Sequence, residues 1–201
     1  MPRFRNMTAV YFSGFGFAHE SALFVAPFCA VRDCLDVREF DVMGFSYGAQ
    51  KAVRYALDSP RPIRRLCLIS PAFFHGMPTR RKEAELRLFA ANPVRYLQTF
   101  LQQALSGIID ASEAQKELVL PYFCLSRYES ICTKELADDL RTLLFYTFCA
   151  DELTQIRERG IAIEVFLGEK DRIIAAKEAR DFFAPLATRL FWVRDAGHLL
   201  L

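Results

Sequence analysis

The chain has 201 residues, of which 52% are hydrophobic, so it can form one domain with an insertion and a full apolar core. Its net charge of +2 argues against general nucleic-acid binding. No run reaches the roughly 18 uncharged apolar residues that a membrane span requires, and the first residues do not resemble a signal peptide. We therefore expect a cytoplasmic protein that binds neither nucleic acid nor membrane.

The cysteines show no C-x-x-C pair, and several lie inside apolar runs such as 66–69. They are Cys29, Cys34, Cys67, Cys124, Cys132 and Cys149. Reduced, buried thiols fit this pattern better than a disulfide framework or a metal site. We expect neither a bound metal nor another cofactor.

Strand patterns alternate with helical patterns over the first 70 residues. The predicted strands are 8–12, 40–43 and 65–70, and the predicted helices are 19–37 and 49–57. This alternation is typical of an α/β fold, in which helices cover both faces of a mostly parallel central sheet.

The alternation breaks after residue 75. Residues 78–150 show helical patterns only, near 79–91, 93–107, 112–126 and 133–149. Strand and helix patterns then resume at 161–167, 174–186 and 189–193. The sequence thus predicts an α/β core formed by residues 1–75 and 151–201, and a helical cap formed by residues 76–150.

The residues Gly44-Phe45-Ser46-Tyr47-Gly48 match G-x-S-x-G, the pattern of a nucleophile elbow. They lie between a predicted strand and a predicted helix, which is the context that this motif requires. Glycines on both sides relieve crowding in a sharp turn that lifts the serine hydroxyl above the sheet edge. The alternative is a glycine-flanked turn whose serine only caps the helix.

A serine hydroxyl needs a base to become a nucleophile, and the chain offers three histidines. His198 follows the last predicted strand directly after a glycine, where a tight turn can bring it back to Ser46. His19 and His75 are the alternatives, although both suit a pocket rim or the surface better.

A carboxylate should orient the base, and it should follow the preceding strand. Asp171, in Gly168-Glu169-Lys170-Asp171, is the best candidate, with Glu169 and Asp195 as competitors. Asp171 could instead cap the helix predicted at 174–186. The chain order Ser, Asp, His on this strand pattern favours the catalytic role.

Acyl transfer also requires hydrogen-bond donors for the developing oxyanion. The first candidate donor is the backbone N–H of Tyr47, at the start of a helix. The second should come from the glycine-rich turn 13–17 that follows the first strand. We assign it to the Phe15 N–H, with the Phe17 N–H as the alternative.

Four segments resemble the motifs of the α/β-hydrolase esterases. They are residues 13–17, 44–48, 168–171 and 197–198. Within that superfamily the chain resembles the pimeloyl-acyl-carrier-protein methyl ester esterases of biotin synthesis, particularly the short variety called BioV. The opening Phe12-Ser13-Gly14-Phe15-Gly16-Phe17, and its short distance from the serine elbow, carry much of this resemblance. The likeness extends over the whole chain.

The resemblance implies a reduced α/β-hydrolase fold and a carboxylic-ester hydrolase that removes methanol from a pimeloyl group attached to acyl carrier protein. It implies a triad of Ser46, Asp171 and His198, with Phe15 and Tyr47 as oxyanion donors. The usual strands before the oxyanion loop, and the further strand after it, have no room here. We therefore expect a small sheet of five or six strands.

Residues 61–95 contain eight basic and two acidic side chains. Acyl carrier protein is acidic, so a basic cap edge would attract it. Arg80, Arg81, Lys82 and Arg87 are the candidate contacts, whereas Arg61, Arg64 and Arg65 precede a strand and could lie at the opposite end of the sheet. An ordinary solvated helix face is the alternative.

Two other functions fit the same residues. The triad could serve a general carboxylesterase or thioesterase, or the chain could be a non-catalytic domain that binds a protein partner. The aromatic side chains of the elbow and cap could line a channel for a medium-length acyl chain, although core packing would also account for them. They are Phe15, Phe45, Phe89, Tyr122, Phe123, Tyr146 and Phe148. The sequence does not fix the oligomeric state.

Overall fold

The computed structural model describes residues 9–17, 20–24, 39–105, 122–123 and 133–200. Several predictions fall outside this part of the chain. They are His19, most of the helices at 19–37 and 112–126, and the cysteines Cys29, Cys34, Cys124 and Cys132.

Five parallel strands form the central sheet. They are β1 (Ala9–Phe12), β2 (Phe40–Phe45), β3 (Ile63–Ile69), β4 (Ala162–Gly168) and β5 (Arg189–Val193), in the spatial order β1-β2-β3-β4-β5. Every residue of β2 is buried, and so is nearly all of β4, so both faces of the sheet are covered at its centre. The predicted small parallel α/β core is confirmed.

The described helices are α1 (Ser21–Phe24), α2 (Tyr47–Asp58), α3 (Thr79–Ala91), α4 (Pro93–Leu105), α5 (Thr133–Phe145), α6 (Ala150–Glu158) and α7 (Ala176–Phe183). None of these helices has the length and apolar character needed to cross a bilayer.

The single helix predicted at 133–149 is in fact two, because α5 ends at Phe145 and α6 begins at Ala150. The Phe148 N–H does not continue the helix but donates a 2.8 Å hydrogen bond to Nε2 of His75. A tertiary partner distant in sequence therefore replaces the local helical bond.

Small residues allow α2 to lie close against the sheet. Ala49, Ala52, Val53 and Ala56 recur at intervals of three and four, and each is at most 1% exposed. This face of α2 packs on β1, β2 and β3. Replacing one of these alanines by leucine would overpack the interface at a cost of about 1–3 kcal/mol.

Helices α3, α4 and α5 follow β3 in the chain, and α3 packs on both of the others. Helix α6 packs beside α2, where the Arg159 guanidinium donates to the carbonyl oxygens of Ala56, Leu57 and Ser59. The division into a core of residues 1–75 and 151–201 and a cap of residues 76–150 stays a prediction.

Candidate active site

Ser46 is the residue at which β2 turns into α2. Its φ of 51° lies in the left-handed region that a serine adopts only under strain. A Cβ on Gly44 would overlap the Gly48 carbonyl, and a Cβ on Gly48 would overlap the Phe12 carbonyl. Both flanking glycines are therefore required by close backbone approach, as the elbow motif predicts.

The surrounding backbone stabilises this strained turn. The Ser46 N–H donates to the Ile69 carbonyl at 2.8 Å, and the Ser46 carbonyl accepts from the Ala72 N–H at 3.0 Å. The end of β3 thus fixes the elbow from both sides, and the Ser46 side chain keeps one direction.

His198 reaches Ser46 from the loop after β5. The distance between His198 Nε2 and Ser46 Oγ is 2.9 Å, and the imidazole is fully buried. The ring packs on Phe45 with centroids 5.1 Å apart. His198 lies within a turn of this loop, since the Leu200 N–H donates to the Gly197 carbonyl at 3.1 Å.

Asp171 contacts the other side of the same imidazole. Its Oδ2 lies 2.7 Å from His198 Nδ1, while its Oδ1 accepts from the Ile173 N–H at 2.8 Å and the Ile174 N–H at 3.2 Å. Since the carboxylate can only accept, Nδ1 carries the proton and Nε2 is left to accept from Ser46. One carboxylate oxygen orients the imidazole and the other anchors the loop before α7.

The competing carboxylates have other partners. Glu169 accepts from the Asp195 N–H at 3.2 Å, and Asp195 forms an exposed 2.7 Å ion pair with Lys170. This ion pair lowers the pKa of Asp195. Among the described contacts, Asp171 is the carboxylate that touches His198, so the geometry selects it over Glu169 and Asp195.

The loops that carry Asp171 and His198 are bonded to one another. The Lys170 N–H donates to the Ala196 carbonyl at 2.9 Å and the Glu169 N–H donates to the Val193 carbonyl at 3.0 Å. A Cβ on Gly168 would overlap the Gly197 carbonyl, so glycine is needed where the two loops meet.

The turn after β1 lies directly beside Ser46. A Cβ on Gly14 would press into the Phe45 ring and lie 3.4 Å from the Ser46 Cβ. The Phe17 N–H donates to the Gly14 carbonyl at 3.1 Å, so it is already occupied. This leaves Phe15 as the better donor of the two alternatives.

Tyr47, whose N–H is the other predicted donor, begins α2. Its hydroxyl donates a 2.9 Å hydrogen bond to Asp139 of α5, and the Lys51 ammonium lies 4.1 Å from the centre of its ring. Burial, followed by this hydrogen bond, raises the pKa of Tyr47. The elbow is thereby attached to α5 through the side chain that follows the serine.

Aromatic rings pack on Phe45 of the elbow and on Phe15 and Phe17 of the turn after β1. Phe17 packs on Phe45 and Phe123, and Phe15 packs on Phe89 and Phe100, with ring centroids 4.8–6.4 Å apart. Phe17 and Phe100 therefore belong to this aromatic cluster, although they are not among the candidate channel residues predicted from the sequence.

Two rings of the predicted set lie in another cluster. Tyr146 and Phe148 pack on one another, and Phe148 also packs on Phe73 beside His75. The His75 ring stacks on Phe73 and accepts from the Phe148 N–H, so its role is to join these segments. Burial and the Lys82 charge lower the pKa of His75, which favours this neutral acceptor.

Of the four predicted carrier contacts, Arg80, Arg81 and Arg87 are exposed on α3. Arg87 lies 4.0 Å from the Glu83 carboxylate. Lys82 is only 8% exposed, and its ammonium faces the Phe145 ring at 5.5 Å. Burial lowers the pKa of Lys82. Lys82 therefore does not share the exposed surface of the three arginines.

Arg61, Arg64 and Arg65 lie near the amino ends of the strands, away from Ser46. Arg64 and Arg65 pair with Asp41 of β2, and Arg61 lies over the Phe40 ring.

Within the described residues, no group of three or more potential metal-binding side chains is found.

Sequence reasoning missed two polar side chains of this region. Gln50 donates from Nε2 to the carbonyls of Ala72 and Leu143, both at 3.0 Å, and so joins α2 to α5. Glu20 accepts from the Gly14 N–H. The sequence offered a signal for Glu20, since it is the only Asp, Glu, Lys or Arg between Arg5 and Arg32. Nothing comparable marks Gln50.

Comparison with known proteins identifies the family to which this geometry corresponds. The model of the alpha/beta hydrolase family matches residues 9–201. Among curated proteins, none has a significant sequence match.

Many solved structures share the fold. A hydrolase from Pseudomonas aeruginosa PA01 superposes with a TM-score of 0.69 at 17% identity, covering 98% of this chain and 85% of that one. Est816, described as an N-acyl homoserine lactone degrading enzyme, gives 0.67 at 18% identity with coverages of 98% and 88%. The carboxylesterase CesB from Bacillus subtilis gives 0.58 at 16% identity with coverages of 98% and 79%. At such identities the likeness shows the fold alone.

Proposed function

Because the chain belongs to the alpha/beta hydrolase family, we propose that it is a serine carboxylesterase that acts through an acyl-enzyme on Ser46. The observation that carries this proposal is the continuous relay from Ser46 Oγ through His198 to Asp171, with distances of 2.9 and 2.7 Å. The relay is buried beside a glycine turn able to present backbone donors, which is the arrangement that acyl transfer requires.

In the first half-reaction Ser46 Oγ attacks the ester carbonyl carbon while His198 Nε2 takes the hydroxyl proton. The carbonyl oxygen becomes an oxyanion, which accepts hydrogen bonds from the Phe15 and Tyr47 N–H groups. When the tetrahedral intermediate collapses, the bond to the alcohol oxygen breaks and His198 gives that oxygen its proton. Asp171 stabilises the imidazolium throughout.

In the second half-reaction water replaces the alcohol. His198 Nε2 removes a proton from the water as its oxygen attacks the acyl carbon. Collapse of the second intermediate breaks the bond to Ser46 Oγ, which recovers the proton from His198. The products are a carboxylic acid and the free serine.

The substrate that we favour is the methyl ester of a pimeloyl group on acyl carrier protein. The resemblance of the motifs suggests this substrate, and two features are compatible with it. Phe15, Phe89 and Phe100 pack together at the glycine turn, where their apolar rings would suit contact with an acyl chain. The exposed Arg80, Arg81 and Arg87 on α3 would attract an acidic carrier.

Mass spectrometry of the carrier-bound methyl ester tests this substrate. Incubation with the wild-type protein should convert the methyl ester to the acid, with the loss of one methylene mass, and Ser46→Ala should not. An unchanged ester, under conditions in which wild-type protein cleaves p-nitrophenyl butyrate, would exclude this substrate while leaving the esterase activity intact.

Charge reversal tests the arginine face. We expect Arg80→Glu/Arg81→Glu to raise KM for the carrier-bound ester about tenfold, with p-nitrophenyl butyrate turnover unchanged. Lys177→Glu, an exposed reversal on α7, is the control and should alter neither reaction. Equal KM values for the arginine variant and the control would remove the carrier contact from the proposal.

A second candidate is a general carboxylesterase for small soluble esters. The fold is shared with CesB, a carboxylesterase, and burial of Lys82 leaves fewer exposed cations for a carrier. A kcat/KM for free methyl esters equal to that for the carrier-bound ester would favour this candidate. Failure of Ser46 to react with a fluorophosphonate probe would instead favour a non-catalytic binding domain.

A further inference from the structure

Glu20 is a fully buried carboxyl group that lies behind the glycine turn next to Ser46. Its residue is 0% exposed, as is Asp41, while Glu164 is 2% exposed. Asp41 and Glu164 both pair with arginines, and Asp171 pairs with His198. Within the described part of the chain, Glu20 has no ion-pair partner. A carboxyl group in this position needs an explanation other than charge pairing.

The partners of Glu20 are neutral hydrogen-bond donors. Its Oε1 accepts from the Gly14 N–H at 2.8 Å and from the Tyr11 hydroxyl at 3.0 Å. Burial raises the pKa of Glu20, although these two hydrogen bonds act in the opposite direction. Burial and the neighbouring Glu20 also raise the pKa of Tyr11. The carboxyl group therefore serves as an acceptor for the turn.

The Glu20 bond acts on the Ser13–Gly14 peptide, which adjoins the Gly14–Phe15 peptide that presents the oxyanion donor. The Gly14 N–H is held by Glu20, and the Gly14 carbonyl is held by the Phe17 N–H at 3.1 Å. Because the peptide group is planar and trans, the Phe15 N–H points opposite to the Gly14 carbonyl. Fixing both polar groups of Gly14 therefore fixes the direction of the Phe15 N–H, beside the Ser46 side chain.

We propose that Glu20 is a positioning residue for the oxyanion hole, whose carboxyl oxygen holds Gly14 and thereby aims the Phe15 N–H at the reacting carbonyl oxygen. This inference rests on the proposed esterase function. The acceptor oxygen, and not a negative charge, performs the role, since a charge at this position would repel the oxyanion. The glutamine amide, which keeps the acceptor, should therefore replace the carboxyl group.

Two substitutions of similar size separate the hydrogen bond from packing. Glu20→Gln keeps an acceptor oxygen, and Glu20→Leu removes it. With p-nitrophenyl butyrate as substrate, we expect Glu20→Leu to lower kcat by about 10–100-fold, which does not exceed the effect of removing a whole oxyanion donor. Its KM should stay within about threefold of wild type. Glu20→Gln should stay within about threefold in kcat.

Tyr11→Phe is the matched control, because it removes the other hydrogen bond to the same oxygen and leaves the Gly14 bond in place. Its kcat should stay within about threefold of wild type. The Ki of an alkyl trifluoromethyl ketone is a second measurement, which separates loss of the oxyanion donor from a general loosening of the fold. The adduct of this ketone with serine places an oxyanion in the hole, so its Ki should rise in Glu20→Leu in parallel with the loss of kcat.

Several results would overturn the proposal. They are a wild-type kcat in Glu20→Leu, an equal loss in Glu20→Gln and Glu20→Leu, or an unchanged Ki despite a lower kcat. If Glu20→Leu does not fold, Glu20→Gln alone decides. A kcat of folded Glu20→Gln more than about tenfold below wild type would also overturn the proposal. Serine-independent turnover, seen as full activity in Ser46→Ala, would instead refute the esterase function itself.

Discussion

The two ends of the sheet bury carboxylates in contrasting ways. At the amino end, Asp41 pairs with Arg64 and Arg65 at 2.8 and 3.0 Å, and Glu164 pairs with Arg65 and Arg189 at 3.1 and 2.8 Å. At the carboxyl end, where Ser46 lies, Asp171 and Glu20 are held by an imidazole, backbone N–H groups and a tyrosine hydroxyl.

The contrast reflects what each end does. A guanidinium is permanently charged, so pairing it with a buried carboxylate fixes the strands and leaves no proton to exchange. A catalytic relay needs a partner that gains and loses a proton, and an oxyanion site needs donors free of competing charge. On the proposed function, the same residue types serve stability at one end of the strands and chemistry at the other.

The largest effect should come from the nucleophile. Ser46→Ala and His198→Ala should each lower kcat for p-nitrophenyl butyrate by about 10⁴–10⁶-fold, because the attacking oxygen or its base is lost. Ser70→Ala is the control, since Ser70 is also buried with a positive φ, of 41°, at the end of the neighbouring strand. It should keep kcat within about threefold, and comparable losses in Ser46→Ala and Ser70→Ala would contradict the assignment.

The next effect should come from the orienting carboxylate. Asp171→Asn should lower kcat by about 10³–10⁴-fold, because the single amide oxygen is used by the Ile173 and Ile174 N–H groups and the NH2 group then faces Nδ1, which favours the wrong tautomer. Asp195→Asn, which removes an exposed carboxylate from the neighbouring loop, should leave kcat unchanged. A larger loss of kcat in Asp195→Asn than in Asp171→Asn would show that Asp195, and not Asp171, orients His198.

At the amino end, substitution should affect stability and leave activity intact. Arg65→Met removes the guanidinium shared by Asp41 and Glu164, and should destabilise the fold by about 3 kcal/mol, as expected for a broken buried pair. Urea denaturation monitored by circular dichroism should show a lower midpoint, while kcat of the folded variant stays within about twofold. A lower kcat in Arg65→Met with an unchanged denaturation midpoint would contradict this contrast between the two ends of the sheet.

The smallest effect should be a pH-dependent shift in Tm. Burial raises the pKa of Glu20, so the folded state binds this proton more tightly than the unfolded state. The stability that Glu20 contributes is therefore lost as pH rises through its folded-state pKa. Tyr11 is the titratable group that faces Glu20 in the described contacts.

Glu20→Gln lacks this proton, so its Tm relative to wild type should rise by about 2–4 °C between pH 4 and pH 8, as measured by calorimetry. Glu158→Gln, at the exposed end of α6, is the control and should show no such trend. A relative Tm of Glu20→Gln that falls as pH rises would mean that the buried carboxylate is stabilised in its charged form.

Local patterns in the sequence account for much of the fold. The strand-turn-helix pattern around Ser46 needs only neighbouring residues, and glycines at 44 and 48 are dictated by the turn itself. The helical patterns at 79–91 and 93–107 also correspond to α3 and α4. The end of α5 at Phe145 was not predictable, because His75 of a distant segment takes the Phe148 N–H.

The sequence by itself determined that a serine elbow, a carboxylate and a histidine follow successive strands in this order. Only the tertiary structure decided which side chains meet, because Ser46 and His198 lie 152 residues apart and Asp171 and His198 lie 27 apart. It selected Asp171 over Glu169, favoured Phe15 over Phe17, buried Lys82 and placed Glu20 behind the glycine turn. Hydrogen bonding and burial depend on neighbours in space, and composition or periodicity along a chain does not specify them.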